Sequence, residues 1–496
     1  MVLNWWNKNV FKNIFSNIKE VEEKINALEA CCQNDPTDVN FAVLKEAKLV
    51  LTNLQCQEET YWKQKAAIKF LAEGDNNTSY FHALVSKKCA INGIHKIDRG
   101  NGTFTDNGDE IANLAVNFFQ NHLNNNFCPT PIVDHSFIPC IVSQEENSSL
   151  CFAPPLEEVK NTLFDMNADS VAGPDVISKI LVNRLSVLLP KLISPNQMGF
   201  VKSRAIMDNI LIAQEFCQDL DIKTRGGNMI LKLDIAKAYD NINWCFIFKM
   251  LKFFGFDDKF ISLITLCIES PFFSIILNGK CHGFFKSSHG LRKGDPISPA
   301  IFILAVDYLS RGISDFFSKS PSMYFRTLGG INISHLCFAD DFIIFMNASK
   351  NKVSKVLRFF EQFEAVSGLI FNKTKSGFVI SKNVNHNRVM DIKNLSGFSQ
   401  VVLPLKYLGI PLFKGRKKTF LFEELISKVH NRLSSWDSNF LSFGGRLVLI
   451  KSVLALIPVY SFQVLLPPKN VCLRIDRILN KFFWRGSSTN SKIHWS

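Results

Sequence analysis

The sequence predicts an α+β fold, and three patterns along the chain lead to this class. Strand-like and helix-like segments alternate through residues 228–412, whereas the flanking segments show helical spacing. A strand-like run ends at Asp234, and two further apolar runs are joined through the adjacent acids Asp340 and Asp341. If these strands are neighbours, three carboxylates converge at one edge of a sheet.

The N-terminal segment is predicted to be helical. Apolar residues recur at helical spacing from Val10 to Leu28, and Pro36 ends this pattern before a second helix begins at Phe41. Two such helices suggest an antiparallel pair. Residues 121–150 are rich in Asn, Pro and Ser and are predicted to form a linker.

The central and C-terminal segments also contain regular elements. Helices are predicted from apolar spacing at residues 156–166, 176–189, 244–254 and 353–366. A hairpin is predicted at residues 274–286, where Asn278-Gly279 favours a type I′ turn between two strands. Gly368 is expected to close the last of these helices, and the chain beyond residue 420 is predicted to be helical again.

Composition argues against several classes of protein. The 496 residues suffice for two to four domains, and a hydrophobic content of 47% supports a sizeable core. The best membrane candidate, Leu447–Leu466, is interrupted by Lys451, Pro458 and Gln463, so its uncharged run falls short of the ~18 residues that a span needs. We therefore expect no membrane segment and no signal peptide.

The 13 cysteines are irregularly spaced and form no Cys-x-x-Cys motif. This pattern argues against both a disulfide framework and a zinc site. Reduced thiols are expected, as in the nucleus or the cytoplasm.

The net charge is +13 and the isoelectric point lies near 9.1. A basic surface favours a polyanion through counterion release. Charge alone is equally compatible with a generic basic protein. Combined with the acidic cluster it favours a nucleic-acid enzyme, which needs a basic groove around an acidic centre.

Adjacent carboxylates repel each other and raise each other's pKa, and a fold tolerates them when divalent cations lie between them. This is the arrangement that two-metal phosphoryl transfer requires. The side chain of Asp234 and the backbone carbonyl of Ile235 can both reach such a metal. Tyr239, five residues on, is placed either beneath a bound sugar or in the core, and position alone favours the core.

The segment Gly290–Pro299 is a polar loop that precedes an apolar helix starting near Pro299. The backbone at Gly294 can approach a base pair closely because glycine has no Cβ. As an isolated segment it is equally compatible with a simple strand-to-helix turn.

Three motifs in this order resemble the palm motifs of reverse transcriptases from plant non-LTR (LINE-type) retrotransposons. They are Lys-Leu-Asp-Ile-Ala-Lys-Ala-Tyr-Asp at 232–240, Gly-Leu-Arg-Lys-Gly-Asp-Pro-Ile-Ser-Pro at 290–299 and Phe-Ala-Asp-Asp at 338–341. The segments 367–376 and 407–412 resemble the next palm motif and the primer grip. Similar segments occur upstream at 62–82 and 197–209, and in the thumb at Trp436, 444–446 and 483–484.

The resemblance implies a right-hand polymerase with an antiparallel palm sheet backed by helices, partial fingers and a helical thumb. The implied domains are a helical N-terminal extension at 1–120, a linker at 121–155, partial fingers at 156–227, the catalytic palm at 228–415 and a truncated thumb at 416–496. The implied activity is RNA-directed DNA synthesis from an RNA template, a DNA primer and deoxynucleoside triphosphates.

The resemblance also assigns roles to individual residues. Asp234, the Ile235 carbonyl, Asp340 and Asp341 would hold two Mg²⁺ ions, and the three acids would be catalytic. Nucleotide and template contacts are implied for Tyr239, Arg292, Lys293, Gly294 and Lys375. A solvated loop lysine is as plausible for Lys375. The primer grip is implied at Tyr407, Leu408 and Gly409.

Two departures from the family pattern concern nucleotide binding. Gly173-Pro174-Asp175 resembles a family element that several dozen residues normally separate from the segment similar to 177–185, yet here the two nearly abut. This implies an internal deletion in the fingers, which would remove residues that grip the triphosphate. In addition, Lys293 stands where the family usually has Gln, and lysine lacks a hydrogen-bond acceptor.

The family's upstream endonuclease domain and downstream Cys/His-bearing segments have no counterpart here, so a fragment of a longer element is expected. Two alternative functions remain open at this point. One is a nucleic-acid-binding remnant without catalysis, and the other is a maturase-like RNA-binding protein that shares the palm.

Overall fold

The structure is a computed structural model that describes residues 13–66, 78–124, 134–166, 175–434 and 443–484. The N-terminal part is mostly helical. Its helices are α1 (Ile14–Asn34), α2 (Asp38–Ala66), α3 (Thr78–Asn92), α4 (Gly108–Leu123), α5 (Gln144–Cys151) and α6 (Leu156–Asp165), and its strands are β1 (Ile97–Asp98) and β2 (Phe104–Thr105). The first two helices pack against each other, as the apolar spacing predicts.

The central part alternates strands and helices, which confirms the α+β prediction. Its helices are α7 (Asp175–Ser186), α8 (Leu189–Leu192), α9 (Ile206–Gln218), α10 (Ala238–Asn241), α11 (Trp244–Phe254), α12 (Asp258–Glu269), α13 (Ser298–Lys319), α14 (Lys350–Ser367) and α15 (His386–Ser396). Its strands are β3 (Asn228–Ala236), β4 (Phe273–Leu277), β5 (Lys280–Phe285), β6 (His335–Phe338), β7 (Asp341–Asn347), β8 (Ile370–Phe371), β9 (Gly377–Ile380), β10 (Ser399–Gln400), β11 (Leu405–Tyr407) and β12 (Ile410–Leu412).

The C-terminal part is helical, as predicted. It consists of α16 (Glu423–Ser434), α17 (Phe443–Leu449), a π-helical turn (Ile450–Leu454), α18 (Val459–Val464) and α19 (Lys469–Trp484). Because this chain turns repeatedly, the apolar stretch proposed above as the best membrane candidate is not one continuous helix. No described helix is long and apolar enough to cross a membrane.

The main sheet has the strand order β10-β9-β3-β7-β6, and β8 pairs with the end of β3. The pairs of β3 with β7, β8 and β9 and of β6 with β7 are antiparallel, whereas β10 runs parallel to β9. Six of the nine residues of the central strand β3 are buried and the other three are partly buried, because both faces of the sheet are covered.

Side chains of the central strands alternate between two cores, as strand geometry requires. Met229 and Leu231 on β3 belong to a large core with the aromatic residues of α11, α13 and α14, whereas Ile230 faces a second core. That second core contains the β11–β12 hairpin, α9, α16 and α19. The sheet therefore separates a helical layer from the layer that carries the hairpin and the C-terminal helices.

Two local predictions are confirmed by backbone geometry. Asn278 and Gly279 have φ angles of 49° and 82°, which are the left-handed values of a type I′ turn. Gly368 ends α14 with a φ of 75°, and its N–H donates to the Glu364 carbonyl.

The predicted linker differs from the structure. Within residues 121–155, helix α5 begins with a capping box at Ser143 and Glu146. Ile138, Val142 and Leu150 are buried in the main core, so the described part of this segment packs on the sheet layer. Sequence reasoning missed this because the short apolar run at 137–142 is flanked on both sides by residues rich in Asn, Pro and Ser, which favour a loop. Parts of three predicted segments lie outside the described residues: 125–133 of the linker, 67–77 of the upstream segment and Trp436 of the thumb.

Candidate active site

The three predicted catalytic acids come from two neighbouring strands. Asp234 is directly opposite Asp341 in the β3–β7 pair, and Phe338 is opposite Asp341 in the β6–β7 pair. The hairpin between β6 and β7 therefore has a two-residue turn, Ala339 and Asp340. The structure brings together the acids that the sequence places more than a hundred residues apart, at the same end of the sheet.

The turn that carries Asp340 is held by Gln197. The Gln197 amide donates to the Ala339 carbonyl at 3.2 Å and accepts from the Ala339 N–H at 2.8 Å and the Gly199 N–H at 2.9 Å. Ala339 has a φ of 55°, which is unfavourable for a residue with a Cβ. A Cβ on Gly199 would lie 2.6 Å from the Ala339 nitrogen, so only glycine allows this close approach.

The electrostatics of the acids reflect burial and mutual repulsion. Burial raises the pKa of Asp340, and the negative charge of Asp234 raises it further. Burial also raises the pKa of Asp341, against the lowering effect of Lys232, while Asp340 and Asp234 add to the rise. Functional sites often contain carboxylates that are partly buried and repel each other.

The donor set fits a hard divalent cation in its chemistry. Carboxylate oxygens are preferred ligands of Mg²⁺, and the Oδ2 atom of Asp234 is buried without a hydrogen-bond donor. Within the described residues, however, no group of three or more His, Cys, Asp or Glu side chains is arranged to hold a metal ion. Ile235, whose carbonyl is the remaining predicted ligand, lies in the register opposite Phe371 of β8.

Lys375 lies beside the acids. Its Nζ is 3.8 Å from the Asp234 Oδ2, beyond hydrogen-bond distance, and its side chain is 72% exposed. The turn after β8 places it there, because Asn372 donates its N–H to the Asp234 carbonyl and Ser376 accepts from the Asp234 N–H. The lysine is thus exposed, as a solvated loop lysine would be, and also close to the carboxylates, as a substrate-binding residue would be.

Tyr239 lies between the acids and the main core. Its ring stacks on Phe302 of α13 at a centroid distance of 4.8 Å. Burial, and then the charge of Asp340, raise the pKa of Tyr239 to about 12, so its hydroxyl stays neutral at physiological pH. The ring is half-buried, which allows one edge to pack in the core while the rest borders the site.

The loop at 290–299 contacts the segment around Tyr239. The Leu291 N–H donates to the Tyr239 carbonyl at 2.6 Å, and the Trp244 indole donates to the Gly290 carbonyl at 2.6 Å. A cavity of about 260 Å³ lies here, and Tyr239, Arg292 and Lys293 contribute to its wall. Gly294 is exposed with a φ of 93°, and nothing lies within 4 Å of the position of a Cβ.

The two cations of this loop bind acids of the chain itself. Arg292 forms an ion pair with Asp175 at the start of α7 and lies 3.7 Å from the buried Asp295. The Nζ of Lys293 lies 2.9 Å from the Asp240 carboxylate. A ligand that needs either cation must therefore compete with these acids.

The predicted primer grip forms the β11–β12 hairpin. Leu408 and Gly409 occupy its two-residue turn with φ angles of 47° and 82°, and the Tyr460 hydroxyl donates to the Leu408 carbonyl at 2.6 Å. Tyr407, in contrast, is fully buried in the second core. Its side chain cannot touch a primer in this conformation, because its ring fills the space beneath the sheet; only the turn residues are accessible.

Gln197 and Arg204 are the residues whose roles sequence reasoning did not identify. The Arg204 guanidinium donates to the carbonyls of Ser194 and Gln197 at 2.6 and 2.5 Å, which fixes the loop that carries the clamp on Ala339. Both residues lie in the segment similar to the family's, but their contacts depend on the sheet, which spacing alone does not reveal.

Residues 175–412 match the family model described as reverse transcriptase (RNA-dependent DNA polymerase). This part of the chain, just under half of its length, is similar to the reverse transcriptase family. The match contains all the predicted catalytic and binding residues, and its first residue is the Asp175 that pairs with Arg292.

Curated relatives point to transposable elements. The chain is 24% identical to the Transposon TX1 uncharacterized 149 kDa protein of Xenopus laevis over 64% of this chain and 24% of that protein. It is 23% identical to a Pol polyprotein from a type-1 retrotransposable element R2 of Popillia japonica, over 47% of this chain and 37% of that protein. A reverse transcriptase of the non-LTR retrotransposon class is thus supported, and the chain spans well under half the length of these relatives.

Solved structures resemble the chain only distantly. The match to apo telomerase from Candida tropicalis spans 95% of this chain and 89% of the telomerase chain, at 12% identity and a TM-score of 0.42. The match to telomerase from Candida albicans with a TWJ fragment of telomeric RNA spans 62% of this chain and 52% of the telomerase chain, at 14% identity and a TM-score of 0.34. Likenesses at this level add nothing to the family assignment.

Proposed function

We propose that the chain is the RNA-directed DNA polymerase part of a plant LINE-type element and that it transfers nucleotides by two-metal chemistry. The observation that carries this proposal is the register that sets Asp234 opposite Asp341, with Asp340 in the adjoining turn. A plant origin is supported by a 34% identity over 90 residues to a putative ribonuclease H protein of Arabidopsis thaliana. The proposed partners are an RNA template, a DNA primer and deoxynucleoside triphosphates, in the nucleus or the cytoplasm.

Asp234, Asp340, Asp341 and the Ile235 carbonyl would hold two Mg²⁺ ions. When bound, these ions supply activation of the primer 3′-oxygen and neutralise charge on the triphosphate. Burial is the main cause of the raised pKa values of Asp340 and Asp341, and the neighbouring carboxylates add to the rise, so a bound cation would favour their charged forms.

The other site residues would bind and orient substrate. Tyr239, stacked on Phe302, presents a rigid neutral ring edge beside Asp340, where a ribose 2′-hydroxyl would collide with it. Lys375 would move from Asp234 to the triphosphate or the pyrophosphate. Gly294 leaves room for a template base, and the turn at Leu408 and Gly409 would support the primer.

The proposed deletion in the fingers lowers the expected activity. Arg292, which the resemblance assigns to substrate contacts, binds Asp175, the last residue before the proposed missing stretch. With the fingertip cations absent, the triphosphate would depend on Lys375 and Lys293, and Lys293 is held by Asp240. We therefore propose slow nucleotide addition with a high KM for the triphosphate.

Primer extension on an RNA template with Mg²⁺ tests the proposal. The comparison includes this chain, a version with the fingers segment of a relative restored, Asp340→Asn, and Asp315→Asn as a control carboxylate paired with Lys319 on α13. We expect the restored version and its Asp315→Asn form to extend the primer and its Asp340→Asn form to fail. Lack of extension by the restored version would contradict the enzymatic proposal.

A second candidate is a nucleic-acid-binding remnant without catalysis. The observation that favours it is the engagement of Arg292 and Lys293 with acids of the same chain. This candidate predicts RNA binding that is independent of Mg²⁺ and unchanged by Asp340→Ala. A loss of binding when the metal is removed would count against it.

A further inference from the structure

A basic cavity lies at the end of the main sheet that is remote from the carboxylates. Its volume is about 720 Å³, and it lies between the segment before β3, the end of β7 and the start of α14. Five cationic side chains line it: Arg225, Arg326, Lys350, Lys352 and Arg388. Among the described residues on its wall, none is acidic.

This cavity is distinct from the candidate active site. Asn228 and Asn347, which are paired at this end of β3 and β7, lie six residues from the pair of Asp234 and Asp341. At the rise of a strand, six residues correspond to roughly 20 Å. A ligand in the cavity therefore contacts different residues from a nucleotide held by the acids.

Most of these cations have no acidic partner among the described residues. Lys350 is paired with Asp391 at 3.2 Å, and it is the one cation of the cavity with a salt bridge in the described part of the chain. Lys352 donates to the Ser322 carbonyl at 2.5 Å and Arg388 to the Gly226 carbonyl at 3.1 Å. These two bonds orient the side chains without neutralising them.

The cations also differ in exposure in the way that a binding site requires. Lys352 and Arg388 are half-buried, whereas Arg225, Arg326 and Lys350 are exposed. Burial lowers the pKa of Lys352, and the nearby Arg225 charge lowers it further. Cations that are close enough to disfavour each other's charge gain free energy when an anion lies between them.

We propose that this cavity binds the phosphate backbone of a nucleic-acid strand at a second site, separate from the catalytic one. The proposal rests on the nucleic-acid partner of the proposed function, but not on its chemistry. The site would hold template or transcript that lies outside the polymerase cleft, through charge and without reading sequence.

The extent of the basic surface favours a strand over a single phosphate ion. A second cavity of about 630 Å³ lies against α15, the helix that carries Arg388; its wall includes Lys382, Arg416 and Lys418, together with Lys414, which is paired with Asp221. A strand that runs along this helix can contact both groups of cations, whereas one phosphate ion can contact only one.

Binding of a fluorescent 30-nucleotide single-stranded RNA, in EDTA and over a series of KCl concentrations, tests the proposal. The variant is Arg225→Gln with Arg326→Gln. Both backbones keep their hydrogen bonds to Asn347 and Asn228, which involve main-chain atoms of the arginines. The control is Lys249→Gln with Lys259→Gln, two exposed lysines outside the cavity that give the same net charge.

Loss of two phosphate contacts should weaken RNA binding about tenfold near physiological salt and reduce the slope of log Kd against log salt by about 1.4 relative to the control. Arg225→Lys with Arg326→Lys should bind within about twofold of the unmodified chain. Equal affinity of the glutamine variant and its control would overturn the proposal. So would equally tight binding of polyglutamate with the same loss in the variant, because an acidic polypeptide would then be the partner.

Two further measurements keep the test decisive. If the glutamine variant unfolds, hydrogen exchange of the unmodified chain should show RNA-dependent protection at 321–326 and 349–352; absence of protection there overturns the proposal. Primer extension by the fingers-restored protein is measured separately. If the fingers-restored protein fails to extend a primer while the glutamine variant still loses RNA affinity, the polymerase proposal is refuted and this one is supported.

Discussion

Replacement of Gln197 tests how the fold positions the turn that carries Asp340. Gln197→Ala removes three hydrogen bonds: two to the backbone of Ala339 and one to the Gly199 N–H. The side chain is 1% exposed, so water cannot easily replace these bonds. At about 1 kcal/mol for each buried bond, the free energy of unfolding should fall by about 3 kcal/mol.

The effect on the site should exceed this loss of stability. The φ of 55° at Ala339 is unfavourable, and without the clamp the turn can relax and carry Asp340 away from Asp234. A displacement of about 1 Å at a reacting group can cost about 100-fold in rate. We therefore expect weaker Mn²⁺ binding to the carboxylates and, in a fingers-restored protein, about a 100-fold lower kcat.

Asn228→Ala is the matched control. Asn228 is also fully buried and also makes three hydrogen bonds, to the backbone of Asp219 and Arg326, but it lies at the end of β3 that is remote from Asp234. It should lose similar unfolding free energy in urea, while Mn²⁺ affinity measured by electron paramagnetic resonance stays unchanged. Equal Mn²⁺ affinities of the two variants at equal loss of stability would refute a positioning role for Gln197.

Three more predictions concern stability. His335 is fully buried, and burial lowers its pKa to about 3. In the unfolded chain this histidine takes up a proton below its ordinary pKa of 6.5, whereas in the folded chain it does not. The free energy of unfolding should therefore fall as the pH drops from 6.5 towards 3, by about 2 kcal/mol at pH 5. Urea unfolding at pH 7.5 and 5 checks this, and His335→Gln should remove that part of the pH dependence; an unchanged dependence would disprove it. Gly199→Ala places a Cβ 2.6 Å from the Ala339 nitrogen and should lower the unfolding free energy by about 1–3 kcal/mol, with a wild-type melting temperature as the contrary result. Asp341→Asn relieves repulsion and should raise the melting temperature in EDTA while abolishing stabilisation by Mg²⁺; stabilisation by Mg²⁺ that persists would contradict the metal assignment.

Local signals in the sequence determined many of the elements. The hairpin at 274–286 follows from Asn278-Gly279, because few residue pairs other than Asn-Gly adopt two successive left-handed conformations readily. The end of α14 at Gly368 follows from the same property of glycine. The candidate acids could also be predicted, since an acid that ends an apolar strand and two acids between apolar runs already suggest a shared sheet edge.

Other features depend on contacts between distant segments, and the sequence did not reveal them. Nothing in the spacing of Gln197 indicates that its amide binds the backbone of Ala339, 142 residues away. The capture of Arg292 by Asp175 and of Lys293 by Asp240 could not be predicted either, because ion pairing depends on side-chain distance. For Tyr407, the motif suggested a surface role, but packing against the underside of the sheet buried the ring.

The sequence by itself thus determined the class of fold, the identity of the three acids and the basic character of the chain, because these follow from residue type and periodicity. Only the tertiary structure decided that Asp234 lies opposite Asp341, which cations are already paired, and that Arg225, Arg326 and Arg388 share one cavity. The physical reason is that electrostatic energies and hydrogen bonds depend on distances in space, and chain folding sets those distances among residues that are remote in sequence.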